Sequence, residues 1–147
     1  NMKKIIYSAF ALIGLFIVSC APDKADDPNS PQPTTDDRDK FAVIWSVTEQ
    51  SKISTTPNSY TVNITKSSSN SSAITIENFY GLTSYSVSAT ISGNILSIPY
   101  QQVKDNVSSS LGFASGSGTL TSSTHINLTY TTAIGANNDT CTAVYLK

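Results

Sequence analysis

Tyr85-Ser86-Val87-Ser88-Ala89-Thr90-Ile91-Ser92-Gly93-Asn94-Ile95-Leu96-Ser97-Ile98 is the stretch that decides the fold. Tyr85, Val87, Ala89 and Ile91 alternate with Ser86, Ser88 and Thr90, so an extended chain carries one apolar face and one hydroxyl face. Successive side chains of a strand leave opposite sides of the pleat, and this period of two marks a half-buried antiparallel strand. Gly93-Asn94 then interrupts the run, and both residue types tolerate the positive φ of a tight two-residue hairpin. The run resumes over 95–103 with Pro99 inside it. Proline donates nothing to a ladder, so an edge, a bulge or a strand end is expected there.

Working outward, the alternation recurs in both directions. Trp45 and Val47 alternate with Ser46 and Thr48, and Tyr60, Val62 and Ile64 with Thr61, Asn63 and Thr65. Ile126, Leu128 and Tyr130 alternate with Asn127 and Thr129. About eight strands follow from this rule, over 42–49, 60–66, 73–79, 85–92, 95–103, 111–120, 125–132 and 139–146. Residues 67–72, 121–124 and 135–138 supply polar connections, and no segment holds a helical period. The expected fold of residues 41–147 is all-β: an antiparallel meander that closes into a small barrel or folds into a β-sandwich. Closure removes the sheet edges that recruit other chains.

The first forty residues differ in kind. Asn1 lies ahead of Met2, which we take as the start. Lys3 and Lys4 precede an apolar run over 5–18, too short for a permanent span of about 20 residues. A charged start, a short apolar core and small residues at its end predict a secretory signal over 1–19. Ile17-Val18-Ser19-Cys20 resembles the bacterial lipobox, in which the cysteine thiol receives diacylglycerol before the leader is cut. The expected anchor is therefore lipid on Cys20, and several acyl chains on one residue hold far better than one. Pro22-Asp23-Lys24-Ala25-Asp26-Asp27 resembles the acidic, lysine-containing export signal of Bacteroidota lipoproteins, implying the outer membrane and its outer face; the periplasmic face is the alternative. Residues 20–40 read as this lipidated cysteine and a disordered, acidic, proline-containing linker. The linker holds six of the ten carboxylates, Asp23, Asp26, Asp27, Asp36, Asp37 and Asp39, but no glycine turn for a calcium loop.

One order of motifs spans nearly the whole domain. Phe41…Trp45-Ser46-Val47-Thr48-Glu49 is followed by Ile74-Thr75-Ile76-Glu77-Asn78-Phe79 and Ser97-Ile98-Pro99-Tyr100-Gln101. Gly116-Ser117-Gly118-Thr119-Leu120 and Cys141-Thr142-Ala143-Val144-Tyr145 complete it. The series resembles the small lipocalin-like (calycin-like) barrel lipoproteins of Flavobacteria and Bacteroides, and this implies the barrel rather than the sandwich. The chain departs from that pattern at Val43, where glycine is usual two residues before the tryptophan. It departs again at Ser51, where a cysteine often follows the glutamate; this removes the disulfide partner the resemblance would imply for Cys141.

Little in the domain speaks for chemistry. His125 is the one histidine and falls on the face opposite Ile126, Leu128 and Tyr130, without the orienting partner a general base needs. Glu49 and Glu77 are a minimal glycosidase pair by number, but no acidic or aromatic cluster surrounds them in sequence. Cys141 reads as a small buried hydrophobe, and no Cys/His spacing suits zinc. Gly112, Gly116 and Gly118 lie in a strand-like run, where they mark bulges or sharp bends rather than a phosphate loop. No catalytic residue, metal ligand or cofactor is expected. Trp45, Tyr60, Tyr85, Tyr100, Tyr130 and Tyr145 are placed on strands, with core filling preferred to ligand stacking.

A net charge of -1 and a charged share of 13%, about half the usual one, give no reason to expect nucleic acid. The expected function is that of a non-enzymatic, surface-exposed outer-membrane lipoprotein, a binding or accessory subunit of a membrane protein assembly. The alternative is a lipocalin-like carrier of a small apolar or glycan ligand. The membrane, through Cys20, is the expected partner in both.

Overall fold

The computed structural model describes residues 35–104, 111–134 and 137–147. Eight strands, β1 (Ile44–Ser51), β2 (Asn58–Lys66), β3 (Ala73–Glu77), β4 (Ser86–Ser92), β5 (Ile95–Lys104), β6 (Leu111–Ser122), β7 (His125–Ile134) and β8 (Asn137–Leu146), form a closed antiparallel barrel in chain order. Barrel and sandwich both need one buried face per strand, so alternation alone left the two open. The deciding contact is between the ends of the chain: β1 pairs with β2 and also with β8, from Ser46↔Leu146 to Ser51↔Cys141. No helix among the described residues is long and apolar enough to cross a membrane.

The alternation sets the interior. Along β4, Val87, Ala89 and Ile91 are buried and the serines and Thr90 between them are exposed. The Gly93-Asn94 turn joins Ser92↔Ile95, and Gly93 alone takes positive φ, at 59°. Most expected strand bounds shift by a residue or two, and three changes have consequences. β3 ends at Glu77, because Asn78 turns left-handed and leads into a 3-10 turn, Phe79–Gly81. Tyr85, expected on a strand, precedes β4 but is buried all the same. Residues 35–40, expected in a disordered linker, are folded: Asp37–Lys40 is a 3-10 turn capped by the Asp36 side chain.

That turn seals one end of the barrel. The Arg38 guanidinium donates to the carbonyls of Ser67 (3.0 Å), Asn70 (2.8 Å) and Ala73 (3.3 Å), closing the β2–β3 connection against the turn. Asp37 accepts from the Gly93 amide at 3.0 Å. Beneath it, Phe41 and Trp45 are fully buried, with the indole N–H donating to the Phe41 carbonyl at 2.8 Å and Lys147 lying 4.6 Å from the indole ring. The charges of the linker therefore carry structure, because Arg38 finds main-chain acceptors that a sequence cannot display.

One of the register breaks in the barrel wall lies beside proline. Ile98 faces Gly116 and Gln101 faces Ala114, so Pro99 and Tyr100 together oppose Ser115 in a bulge. β4 and β5 share only three register pairs, and the Gln101 amide spans the gap beyond, donating to the Ser88 carbonyl at 2.6 Å and accepting from its N–H at 2.9 Å. On β6, a Cβ at Gly116 would stand 2.5 Å from the Tyr130 Cβ and 2.6 Å from the Thr129 carbonyl oxygen. Glycine there lets β7 curl in against β6 and swings Tyr130 into the interior.

Candidate functional site

The half of the barrel remote from the sealed end has a polar interior. Glu49 shares the inward phase of Trp45 and Val47 and is 3% exposed. Its carboxylate accepts hydrogen bonds at Oε2 from the Tyr60 and Tyr130 hydroxyls. The Tyr130 ring lies 4.6 Å from Phe79 and, edge-on, 6.4 Å from Tyr80. Tyr80 in turn donates to Asp139 at 2.9 Å; the Cys141 thiol (3.3 Å) and the Lys52 amide (3.2 Å) donate to the same carboxylate. The ion pairs among the described residues lie at the other end, on Arg38, Lys40 and Lys66. Phenols, a thiol and an amide thus take the place a cation would have.

Electrostatics follows from that arrangement. Burial, and then the neighbouring Glu49 charge, pushes the Tyr145 hydroxyl above its ordinary value, and burial is the leading cause at Tyr60, Tyr80 and Tyr130 too. The Cys141 thiol is pushed up to about 12 by burial and by the Glu49 and Asp139 charges. Burial also works against the Asp139 carboxylate, but donors from Ser51, Tyr80, Cys141 and the Thr140 amide outweigh it, and its pKa is lowered. Phenols and a thiol thus serve as donors to the two carboxyl groups.

The 3-10 turn Phe79–Gly81 lays Phe79 and Tyr80 over this cluster. Asn78 and Tyr80 both sit at φ 60°, and Gly81 at 69°. Left-handed backbone at a side-chain-bearing residue costs roughly 1–2 kcal/mol, and here it is held by main-chain bonds such as Phe79 N–H to the Tyr85 carbonyl at 3.1 Å.

Beside it, on the outside of β5–β8 at the same end, is a cleft of about 380 Å³. Strict alternation from Ile98 would send Tyr100 inward; the bulge at Pro99 sends it out, 72% exposed. Its ring stacks on Phe113 with centroids 5.1 Å apart and planes 7° apart. Ser115 and Thr131, hydrogen-bonded to each other at 3.1 Å, line its outer wall, and Thr132 and Asp139 border it from the strands with their side chains turned into the barrel. The Thr132 hydroxyl is buried and has no hydrogen-bond partner, as is the Tyr145 hydroxyl inside the barrel.

The residues weighed for chemistry are scattered. His125 is half-buried on the outer face, and its ring nitrogen Nε2 meets only the Asn127 side chain, at 3.1 Å. Glu77 is exposed and bonded to Asn63 at 2.8 Å, while Glu49 points inside, so the two do not form a pair. Cys141 is fully buried. Among the described residues no three His, Cys, Asp or Glu side chains group to hold a metal ion. Of the six aromatics, Trp45, Tyr85, Tyr130 and Tyr145 fill the core, Tyr60 is half-buried against it, and Tyr100 is the exception. Cys20 and the leader lie outside the described residues. Sequence reasoning missed the roles of Glu49, Asp139 and Thr132, although phase carries all three. Glu49 keeps step with Trp45 and Val47, Asp139 with Cys141 and Ala143, and Thr132 with Leu128 and Tyr130.

No protein-family model matches this chain, and no curated protein does. Among solved structures it is similar to a redesigned beta barrel, b11L5F_LGL, at a TM-score of 0.56 and 10% identity, over 79% of this chain and 98% of that one. It is also similar to EF1p2_mFAP2b bound to DFHBI, at a TM-score of 0.54 and 12% identity, over 76% and 97% of the two chains. The likeness shows the fold: a small, lipocalin-like, eight-stranded barrel.

Proposed function

We propose that the barrel is the non-enzymatic binding or accessory domain of a lipoprotein, anchored through Cys20 in the outer membrane and exposed at the cell surface. The observation that carries this reading is the polarity of the barrel. The chain enters at Thr35, at the end sealed by Arg38 and Trp45. The cleft with Tyr100, and the turn over the polar interior, occupy the opposite end. A domain tethered at its sealed end presents the other to whatever it meets.

Binding rather than catalysis is supported by the buried hydroxyls and thiol, which are held neutral, and by the isolation of His125. A carrier of apolar ligands inside the barrel has less support, because Trp45, Phe79, Tyr130 and Tyr145 fill that interior. The similar barrel bound to DFHBI offers a precedent for a small molecule on this fold. The test is to express the full chain with Cys20 or with Cys20→Ala, label with an alkyne fatty acid, and follow the membrane fraction, protease accessibility on intact cells and co-purifying proteins. Acylation and membrane retention lost in Cys20→Ala, with protease access at the surface and a co-purifying membrane protein, are expected. An unmodified Cys20 overturns the anchor, and recovery only as a free monomer without partner or ligand overturns the binding role.

A further inference from the structure

The connection between β3 and β4 is fastened to the barrel by few bonds. Its main-chain hydrogen bonds run within itself: Gly81 N–H to the Asn78 carbonyl at 3.2 Å, Leu82 N–H to Phe79 at 3.2 Å, and Tyr85 N–H to Leu82 at 2.9 Å. Among the described residues, two side-chain bonds tie it to the wall. Asn78 Nδ2 donates to the Thr61 carbonyl at 2.5 Å, and the Tyr80 hydroxyl donates to Asp139 at 2.9 Å. Asn78 and Tyr80 both hold left-handed backbone, which persists only while the surroundings enforce it. Between them Phe79 is fully buried, its ring 4.6 Å from that of Tyr130, and plugs the end of the barrel remote from Arg38. Next to the Tyr80 bond, Thr132 pairs across the sheet with Asp139; it is 2% exposed and its hydroxyl is unpaired. A buried hydroxyl in that state is destabilising until water or a ligand reaches it.

We propose that residues 78–84 form a lid over the polar half of the barrel, latched by the Tyr80–Asp139 hydrogen bond, and that the lid opens while the eight strands stay closed. The proposal goes beyond the binding reading above and does not depend on Cys20. Opening breaks no bond between strands, because the lid begins after Glu77 and ends before Ser86, the last register pair of β3 and β4. It relaxes two left-handed residues and lets solvent reach Thr132. It costs the burial of Phe79 and the two side-chain bonds. These contributions oppose one another, and the open state is a minor one reached by local opening. The latch also guards the thiol, since Tyr80 and Cys141 donate to the same oxygen, Asp139 Oδ2, at 2.9 and 3.3 Å. Swinging Tyr80 away therefore uncovers Cys141. The open barrel is a cup with Glu49, Tyr130, Thr132 and Asp139 in its wall, facing away from the end where the chain enters.

The test follows labelling of Cys141 by methyl methanethiosulfonate at pH 8, read by peptide mass spectrometry on the full chain in detergent micelles. Amide exchange of β7 and β8 on the same sample reports global unfolding. Wild-type labelling is expected to be slow and nearly flat in low urea, because a local opening exposes little surface. Tyr80→Phe and Asn78→Ala each cut one tie and are expected to speed labelling about tenfold. Asn78→Ala leaves Asp139 and Cys141 untouched, so its effect comes from opening and not from a changed thiol. Gly93→Ala, at the sealed end, is expected to speed exchange of the β7 and β8 amides about fivefold and to leave labelling of Cys141 unchanged. Labelling that rises steeply from the first addition of urea overturns the lid, as does labelling that Gly93→Ala speeds as much as it speeds those amides. Labelling that neither Tyr80→Phe nor Asn78→Ala speeds overturns the latch and the lid with it.

Discussion

The Tyr130 hydroxyl donates to the Glu49 carboxylate inside the barrel, across 81 positions of sequence. Tyr60 donates to the same oxygen from the neighbouring strand, so one buried anion ties β1 to β2 and to β7. Removing one donor leaves the carboxylate less compensated. Tyr130→Phe is therefore expected to lower stability by about 2 kcal/mol in urea unfolding. A double-mutant cycle with Glu49→Gln should return a coupling of about 1 kcal/mol; additive effects would mean that the two side chains act separately.

Two glycines separate steric from conformational demands. At Gly116 a methyl group meets the Tyr130 Cβ and the Thr129 carbonyl, neither of which is a flexible tip, so Gly116→Ala is expected to cost about 3 kcal/mol. At Gly93 nothing lies within 4 Å, and only its φ of 59° resists a side chain, so Gly93→Ala should cost about 1 kcal/mol. Thermal melts of the two variants check the order.

Cys141 gives a pH prediction. Burial comes first, then the Glu49 and Asp139 charges, in holding its thiol up to about 12, above the ordinary 9.0. The folded state thus keeps a proton that the unfolded chain releases, and the stabilisation is complete below about pH 9 and lost as pH rises toward 12. The urea midpoint should fall over that window, less steeply in Cys141→Ala. At pH 8 a disulfide reagent should leave the native thiol untouched and label it after unfolding.

The Arg38 clamp predicts local rather than global change. Arg38 holds the Asp36 carboxyl well below the usual range, chiefly through its side-chain hydrogen bonds, so this link persists above the ordinary carboxylate pKa of 3.8 and weakens as pH falls. Arg38→Lys keeps the charge but loses the fork that reaches three carbonyls. Amides of the 67–73 connection and of Asp37–Lys40 should exchange faster in Arg38→Lys and in Arg38→Ala, with the β7–β8 amides unchanged.

Most of the strand plan is legible in the sequence, because an apolar face repeated every second residue admits little else. Where the plan slips, a local event breaks the count. Pro99 and Tyr100 share one opposing residue, so parity after Ile98 misplaces Tyr100, and the proline was the only sign of it. The left-handed Asn78 ends β3 early, which composition does not announce. Glu49 and Asp139 kept apolar phase while looking like surface residues, and their charge outweighed their position in the reading. The candidate cleft was beyond reach for another reason. It joins the bulge of β5 to Ser115 of β6 and Thr131 of β7, and only the shifted register at that bulge brings Tyr100 to their side of the sheet.

The seam between β1 and β8 has a consequence for how the molecule is born. The first strand to emerge waits for the last, since Ser46 pairs with Leu146, one residue from the end of the chain described here. Until those final residues arrive, β1 and β7 each keep an open flank, and non-local pairing of this sort folds slowly. A product lacking β8 would hold both flanks open permanently and so invite a second copy to complete them.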